Sequence, residues 1–497
     1  MARRVSDGTV LPLSLDRHAA EPMHRQLYDQ MRALILDGRL KAGSRLPSSR
    51  TLSRELAISR NTVTGAFDQL FAEGYLVGKV GAGSFVSDEL PEDALSLRKV
   101  DQNPGARKPR RQGLSQRGAR LAALRGGRSN RGTPAFAIGL PDLDSFPFDV
   151  WSRLMTKAWR RPPRALLAQA EPAGYLPLRQ AIVDYLATAR GVRCEAEQVI
   201  IVAGVQQAIG LACHVLLDEG DVALMEEPGY PGVRGALLGA GIRPATAPVD
   251  LEGIDIDAGE AKVPGARLVC VAPSHQYPLG VTMTLARRLK LLDWAQRTDG
   301  WVLEDDYDSE YRYSGRPLSA LQGLDRDGRV VYAGSFSKVM FPSLRIGYLV
   351  VPADLAEPFR LARAALDDHP STIAQPALAA FIEEGHFAAH LRRMRRLYAE
   401  RRAALDAMLK DRLGDRIIIA PSEAGMHLLA RFTPDVAPGI GDREIQSRAA
   451  ELGVAVSALS AYYADETTDR GLLLGFSAVP IDAMPEAVNR LMRALDL

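Results

Sequence analysis

Lys338 closes the run Gly334-Ser335-Phe336-Ser337-Lys338, and Arg345 follows seven positions later. A lysine amine that is to bond a carbonyl carbon must be neutral when it attacks, and a cationic, partly desolvated pocket lowers its pKa to that end. Ser335 and Ser337 set two hydroxyls in the same tight turn, and Arg345 offers a fork of donors to phosphate oxygens. Upstream, Glu304 to Glu310 holds five acids in seven positions. A carboxylate beneath a pyridine nitrogen keeps that nitrogen protonated, and a nearby phenol can hydrogen-bond a ring oxygen, so Asp305 and Tyr307 are the candidates in that run. Ala203-Gly204-Val205-Gln206 opens a helix whose free N–H groups favour a phosphate. Taken together, these residues describe an anchor for pyridoxal phosphate (PLP), held on Lys338 as a Schiff base. The plainer alternatives are a surface lysine beside a structural arginine and a solvated acidic loop.

The elements that must position these groups begin at about Pro134. Val199–Val202, Val222–Met225, Leu268–Val271, Trp301–Leu303 and Val330–Tyr332 are apolar runs of strand length separated by helical stretches. Such runs predict an α/β fold with a mostly parallel sheet covered on both faces, and ligands bind at the carboxyl ends of its strands. The large domain is expected over 134–365 and a smaller C-terminal α+β domain over 366–497. The latter holds Tyr462-Tyr463 and the basic stretch Arg392 to Arg396, read either as a solvated helix face or as a site for DNA or an acidic effector. His369, His386, His390 and His427 show no ligand spacing and receive no role, and no metal site is expected.

Ahead of this lies a basic helical module over 20–88. Pro22 to Leu36 carries Met23, Leu27, Met31, Leu34 and Ile35 at helical spacing, with Gly38 closing it. Ser48 or Ser49 can cap a second helix, and Ser59 a third, with Val63, Phe67, Leu70 and Phe71 on its apolar face. Arg60, Asn61, Thr62 and Thr64 lie opposite that face, suited to base edges and phosphates at the start of a recognition helix. Tyr75 to Val86 reads as a hairpin with a glycine-rich tip at Gly81 and Gly83. The nucleic-acid set is therefore Arg45, Ser48, Arg50, Ser59, Arg60, Asn61, Thr62, Thr64, Gly81 and Gly83. A small helical oligomerisation domain is the bland alternative.

Residues 89–133 are expected to be a basic, flexible linker. Arg98 to Arg131 contains eleven basic residues against one acid, although the whole chain of 497 residues carries a net charge of only +2. It could track phosphates beside a DNA site or serve as a solvated spacer. With 46% apolar and 25% charged residues, the composition is that of a soluble globular protein of about three domains. No stretch approaches the ~20 apolar residues needed to span a bilayer, and no signal core follows Met1, so a cytoplasmic location is expected. Cys194, Cys213 and Cys270 lack disulfide or zinc spacing and read as buried thiols.

Leu46-Pro47-Ser48-Ser49-Arg50, Ser59 to Val63, Glu73 to Leu76 and Gly81 to Val86 together resemble the winged helix-turn-helix of the GntR family of bacterial regulators. On that resemblance Arg50, Arg60 and Thr62 match DNA-contacting positions and the wing glycines match a minor-groove element. Thr64 stands where some relatives place a further basic contact. Gly139 to Asp142, Glu227 to Pro231, Pro273 to Gly280 and Glu304 to Glu310 resemble signatures of the fold-type I, class I aminotransferase-like PLP domain. The whole arrangement is similar to MocR-type regulators. The resemblance implies that Tyr230 stacks on the PLP ring, that His275 to Tyr277 borders its oxygen, and that Val205 and Gln206 join Ser335, Ser337 and Arg345 at the phosphate.

It also implies a homodimer, double-stranded operator DNA, and an amino-acid, amine or PLP effector that shifts the dimer between two arrangements. Two positions depart from the aminotransferase pattern. Leu473 stands where an arginine grips a substrate α-carboxylate, and Gln169 stands where many relatives place a tyrosine. These departures favour a regulator over a working aminotransferase that carries a DNA-binding module. A fold that no longer retains PLP is the third reading.

Overall fold

The computed structural model describes residues 11–17, 19, 21–79, 82–88, 113–124, 134–315, 318–421 and 423–496. The chain divides into two units, Met1–Gln112 and Gly113–Leu497.

In the first unit, helix α1 (Met23–Leu36) turns Leu27, Met31, Leu34 and Ile35 inward against α3 (Arg60–Ala72), which contributes Val63, Ala66, Phe67 and Leu70. Between them α2 (Ser49–Glu55) starts where the Ser48 hydroxyl accepts the Thr51 N–H at 3.2 Å, and α3 starts where Ser59 accepts that of Thr62 at 3.1 Å. Each such cap contributes about 1 kcal/mol. The hairpin pairs β1 (Leu76–Lys79) with β2 (Gly83–Val86) antiparallel, and Leu46 N–H bonds the Ser84 carbonyl, so Arg45 lies along the outer edge of the wing.

The second unit is built on an eight-stranded sheet in the order β3, β10, β9, β8, β7, β4, β5, β6. The strands are β3 (Val199–Val202), β4 (Val222–Glu227), β5 (Arg243–Asp250), β6 (Gly253–Ile254), β7 (Leu268–Val271), β8 (Trp301–Asp306), β9 (Val330–Ser335) and β10 (Gly347–Val350). β5, β4, β7, β8 and β9 run parallel, whereas β10 is antiparallel to both β9 and β3 and β6 is antiparallel to β5. The alternation of β9 shows why these runs are apolar throughout. Val331 and Ala333 enter one core layer, while Val330 and Tyr332 enter layers on the other face.

A four-stranded antiparallel sheet, β11 (Ile417–Ile419), β12 (His427–Phe432), β14 (Gly471–Gly475) and β13 (Ser457–Ala458) in that order, follows toward the C-terminus. In β14 the period of two sends Leu472 and Leu474 into the main core and Leu473 into a separate apolar cluster.

The segment expected to be linker departs from that expectation at its end. Gln116–Ala123 is a helix capped by Ser115, and it lies in the second unit against the Pro231–Ala240 helix. Leu121 and Leu124 approach Gly239 and Gly235, and Arg117 pairs with Glu219 at 2.6 Å. The basic composition of the segment gives no sign of this helix, because its apolar residues are few and its anchoring acid lies about a hundred residues away in sequence. The basic stretch Arg392 to Arg396 lies on the 28-residue helix His386–Leu413, where Arg393 donates to the Ser145 carbonyl and Arg395 to that of Glu310. No helix of the described residues is long and apolar enough to cross a membrane.

Candidate cofactor site and nucleic-acid interface

Because β3 and β9 point the same way as the parallel strands, their carboxyl ends meet along one edge of the sheet. Gly204 to Gln206 leaves β3, Tyr230 follows β4, Ser274 to Pro278 follows β7, Asp305 is the last residue but one of β8, and Ser335 to Lys338 leaves β9. The sheet thereby brings together residues more than a hundred positions apart. Lys338 Nζ lies 3.0 Å from the Gly139 carbonyl, and a Cβ on Gly139 would stand 2.3 Å from that nitrogen. Gly139 also has φ 64°, so a side chain there would be strained as well as forced to displace the lysine amine.

The five acids from Glu304 to Glu310 separate into scaffold and site once their partners are traced. Glu304 accepts the Leu321 and Gln322 backbone N–H groups at 2.8 and 2.9 Å. Asp306 pairs with Arg190 at 2.7 Å and accepts the Tyr332 hydroxyl at 2.6 Å. Asp308 meets His275 Nδ1 at 3.1 Å, and Glu310 accepts the Tyr185 hydroxyl at 2.8 Å. Asp305 differs from all four, because its Oδ1 is buried without a hydrogen-bond partner. Desolvation, reinforced by the charges of Asp306 and Asp308, pushes its carboxyl up to about 7, and Lys338 pulls the other way. A cationic ring N–H would satisfy that oxygen.

At the other end of the site the Val205–Leu216 helix begins at Gly204 (φ 110°), over which the Arg345 guanidinium lies so closely that a Cβ there would come within 3.3 Å of it. Val205 is the first helical residue, and the exposed Gln206 donates to the Gly232 carbonyl at 2.7 Å. Ser335 Oγ accepts the Ser337 N–H at 3.2 Å, whereas Ser337 Oγ is buried without a partner. Free helix N–H groups, a guanidinium and an unused hydroxyl form a cradle for a phosphate, so both ends of the site fit PLP.

The remaining wall is aromatic. Tyr307 Oη lies 2.9 Å from His275 Nδ1, the Tyr277 ring meets Tyr307 edge to face at 5.8 Å, and Tyr230 meets Tyr277 in the same way at 6.2 Å. His427 also belongs here. Its ring lies 5.5 Å from His275 and 5.4 Å from Tyr277, its Nε2 meets the Pro278 carbonyl at 3.1 Å, and burial pushes its pKa down to about 3. No local spacing could reveal it, because β12 of the second sheet delivers it. The adjoining Gly425 is as close-fitted as Gly139, since a Cβ on it would strike His275 at 2.0 Å. Gln169 lies apart, donating to Asp368 at 3.0 Å. Among the described residues no cluster of His, Cys, Asp or Glu could hold a metal ion.

In the first unit Arg45, Arg50, Arg60 and Asn61 are exposed, and the Arg60 guanidinium reaches Ser49 Oγ at 3.3 Å, tying α3 to α2. Ser48 and Ser59 serve as helix caps that also bond the Thr51 and Thr62 hydroxyls, at 2.9 and 2.8 Å. The Thr64 hydroxyl turns back to the Arg60 carbonyl at 3.0 Å. The arginines and Asn61 thus present side chains outward, while the hydroxyl residues are partly occupied within their own helices. Gly83 (φ 109°) packs beside the Arg45 guanidinium, and Gly81 lies outside the described residues.

Comparison with known proteins bears on both parts. The family of aminotransferase class I and II matches residues 147–491, and the bacterial regulatory proteins of the gntR family match residues 23–86. The chain is 44% identical over 483 residues to the probable rhizopine catabolism regulatory protein MocR of Rhizobium meliloti, covering 97% of this chain and 95% of that one. It is 31% identical to the HTH-type pyridoxine biosynthesis transcriptional regulator PdxR of Corynebacterium glutamicum, covering 98% and 99%. Among solved structures, the α-aminoadipate aminotransferase LysN of Thermus thermophilus, complexed with N-(5'-phosphopyridoxyl)-L-leucine, is 30% identical and superposes with a TM-score of 0.66 over 74% of this chain and 92% of that one. The chain belongs to the MocR-type regulators, in which a GntR-family DNA-binding domain is joined to an aminotransferase class I and II domain.

Proposed function

We propose that this chain is a PLP-dependent transcription regulator of the cytoplasm. In this reading α3 and the wing contact operator DNA, and the second unit binds PLP on Lys338 and senses an amino compound or PLP itself as a homodimer. One observation carries the reading most directly: of the five acids at the end of β8, Asp305 alone keeps a buried oxygen without a partner, and it does so beside Lys338. PLP supplies an electrophilic carbon that takes primary amines. With PLP bound, Asp305 would hold a proton at the ring nitrogen, Tyr307 would position the ring oxygen with His275 behind it, Gly204, Ser337 and Arg345 would hold the phosphate, and Tyr230 would cover the ring.

The test is to add PLP to the purified protein, reduce with borohydride and map the modified residue by mass spectrometry. A visible absorption band trapped on Lys338, and lost in Lys338→Ala, is expected. Absence of the band at saturating PLP overturns the reading. Arg60→Ala is expected to weaken specific operator binding by about 1–3 kcal/mol, measured by fluorescence anisotropy, with the PLP band unchanged. Simultaneous loss of both would show that the two parts do not act separately. A working aminotransferase is the second reading, and it predicts steady conversion of an amino donor and a keto acid. The apolar surroundings of Leu473 weigh against it.

A further inference from the structure

We propose that the effector of this site is a primary amine with an uncharged body, and that the wall built around Leu473 turns α-amino acids away. The proposal rests on the PLP reading above and narrows it.

Leu473 is fully buried in a cluster with Leu279, Leu429 and Leu459, against which Ile138, Tyr277 and Tyr462 pack. Two members of that wall reach the site. Ile138 precedes Gly139, whose carbonyl receives Lys338, and the Tyr277 ring packs on Tyr307. Through these two residues the Leu473 cluster backs part of the wall beside Lys338.

A carboxylate on that body would need a cation, and the arginines of the surrounding elements are engaged elsewhere. Arg190 is held by Asp306, Ser274 and the Leu318 carbonyl. Arg431, on the same strand as Leu429, pairs with Asp469 at 3.2 Å, and Asp469 also accepts the Tyr463 hydroxyl at 2.9 Å. Arg345 lies at Gly204, at the phosphate end. His427 is buried in its neutral form. The titratable groups packed around the site, Glu226, Asp305 and Asp308, are acids, and neither their protonated nor their ionised forms supply the cation that a second carboxylate needs. What the wall offers a ligand is the partly exposed Ile138 side chain and the Tyr277 and Tyr462 rings with their hydroxyls, 2.8 Å apart, backed by the buried Leu473 cluster and the His427 ring.

The test uses the full chain loaded with PLP and two matched pairs, tyramine against tyrosine and isoamylamine against leucine. Binding is read from the visible absorption shift and by calorimetry. The amine of each pair is expected to bind at least about tenfold more tightly than its amino acid, since an uncompensated buried carboxylate costs at least that factor. Leu473→Arg is expected to reverse the order. The wild-type comparison stands by itself if that variant does not fold. An amino acid that binds as tightly as its amine in the wild-type protein overturns the proposal and leaves PLP binding intact, whereas absence of any PLP band removes the underlying reading and the proposal together.

Discussion

Arg190→Met is expected to lower the unfolding free energy of the second unit by about 3–5 kcal/mol, one of the largest effects available to a single side chain in this protein. Arg190 and Asp306 are 4% and 3% exposed, and Arg190 also donates to Ser274 Oγ and the Leu318 carbonyl, at 2.7 and 2.6 Å. Without the guanidinium, Asp306 remains in a low-dielectric interior among Glu304, Asp305 and Glu310, with only hydroxyl donors. The cost is that of a stranded charge rather than of one lost contact. A double variant with Asp306→Asn should therefore recover part of the loss, because the two substitutions share a single interaction. Urea unfolding followed by tryptophan fluorescence measures this, since all four tryptophans lie beyond the first unit. A loss below about 1 kcal/mol would show that the pair contributes little net stability. Arg190→Lys should restore only part, because an ammonium cannot reproduce the three-way fork.

The second large effect concerns pH. Asp305 is raised in the folded protein from 3.8 to about 7, so the folded state keeps a proton there that the unfolded chain releases. Between pH 4 and 7 the folded state binds more protons at this group, so its contribution to stability without PLP falls as pH rises through that window. Glu226, raised to about 8, and Glu304 and Glu310, raised to about 7, act in the same sense. Asp305→Asn removes one of these contributions. The variant without PLP should match wild type near pH 4 and exceed it by on the order of 2–4 kcal/mol at pH 8. Saturating PLP should abolish that advantage, because the wild-type carboxylate then gains the partner it lacks while asparagine cannot hold the ring proton. Parallel stability profiles for the two proteins, measured by urea unfolding from pH 4 to 8, would mean that Asp305 is not the strained carboxylate.

The strands, the three N-terminal helices and the hairpin were legible because each rests on local chemistry. Val330–Tyr332 is apolar without alternation because both faces of β9 are covered, and Ser48 and Ser59 announce helix starts by residue type alone. The lysine turn and the acidic run were legible for the same reason, since their members are neighbours in sequence. Spacing could not say which acid of the run belongs to the site. That follows from Arg190, Tyr185, His275 and the Leu321 backbone, each supplied by a different element, which leave Asp305 aside. His427 was passed over because its neighbours His275 and Tyr277 lie in the loop that follows β7 of the other sheet. The Gln116–Ala123 helix was hidden among arginines, since a marginal helix is stabilised by the surface it meets.

Three glycines of the site carry information that no reactive group displays. A methyl group at Gly139 would meet the Lys338 amine, one at Gly425 would meet the His275 ring, and one at Gly204 would press on the Arg345 guanidinium. The site is thus carved by omission, and its tolerance to mutation is lowest where there is least to mutate. A single added carbon strains the left-handed backbone at all three positions, and at Gly425 it strikes a buried ring, with every lysine, carboxylate, phenol and arginine still in the sequence.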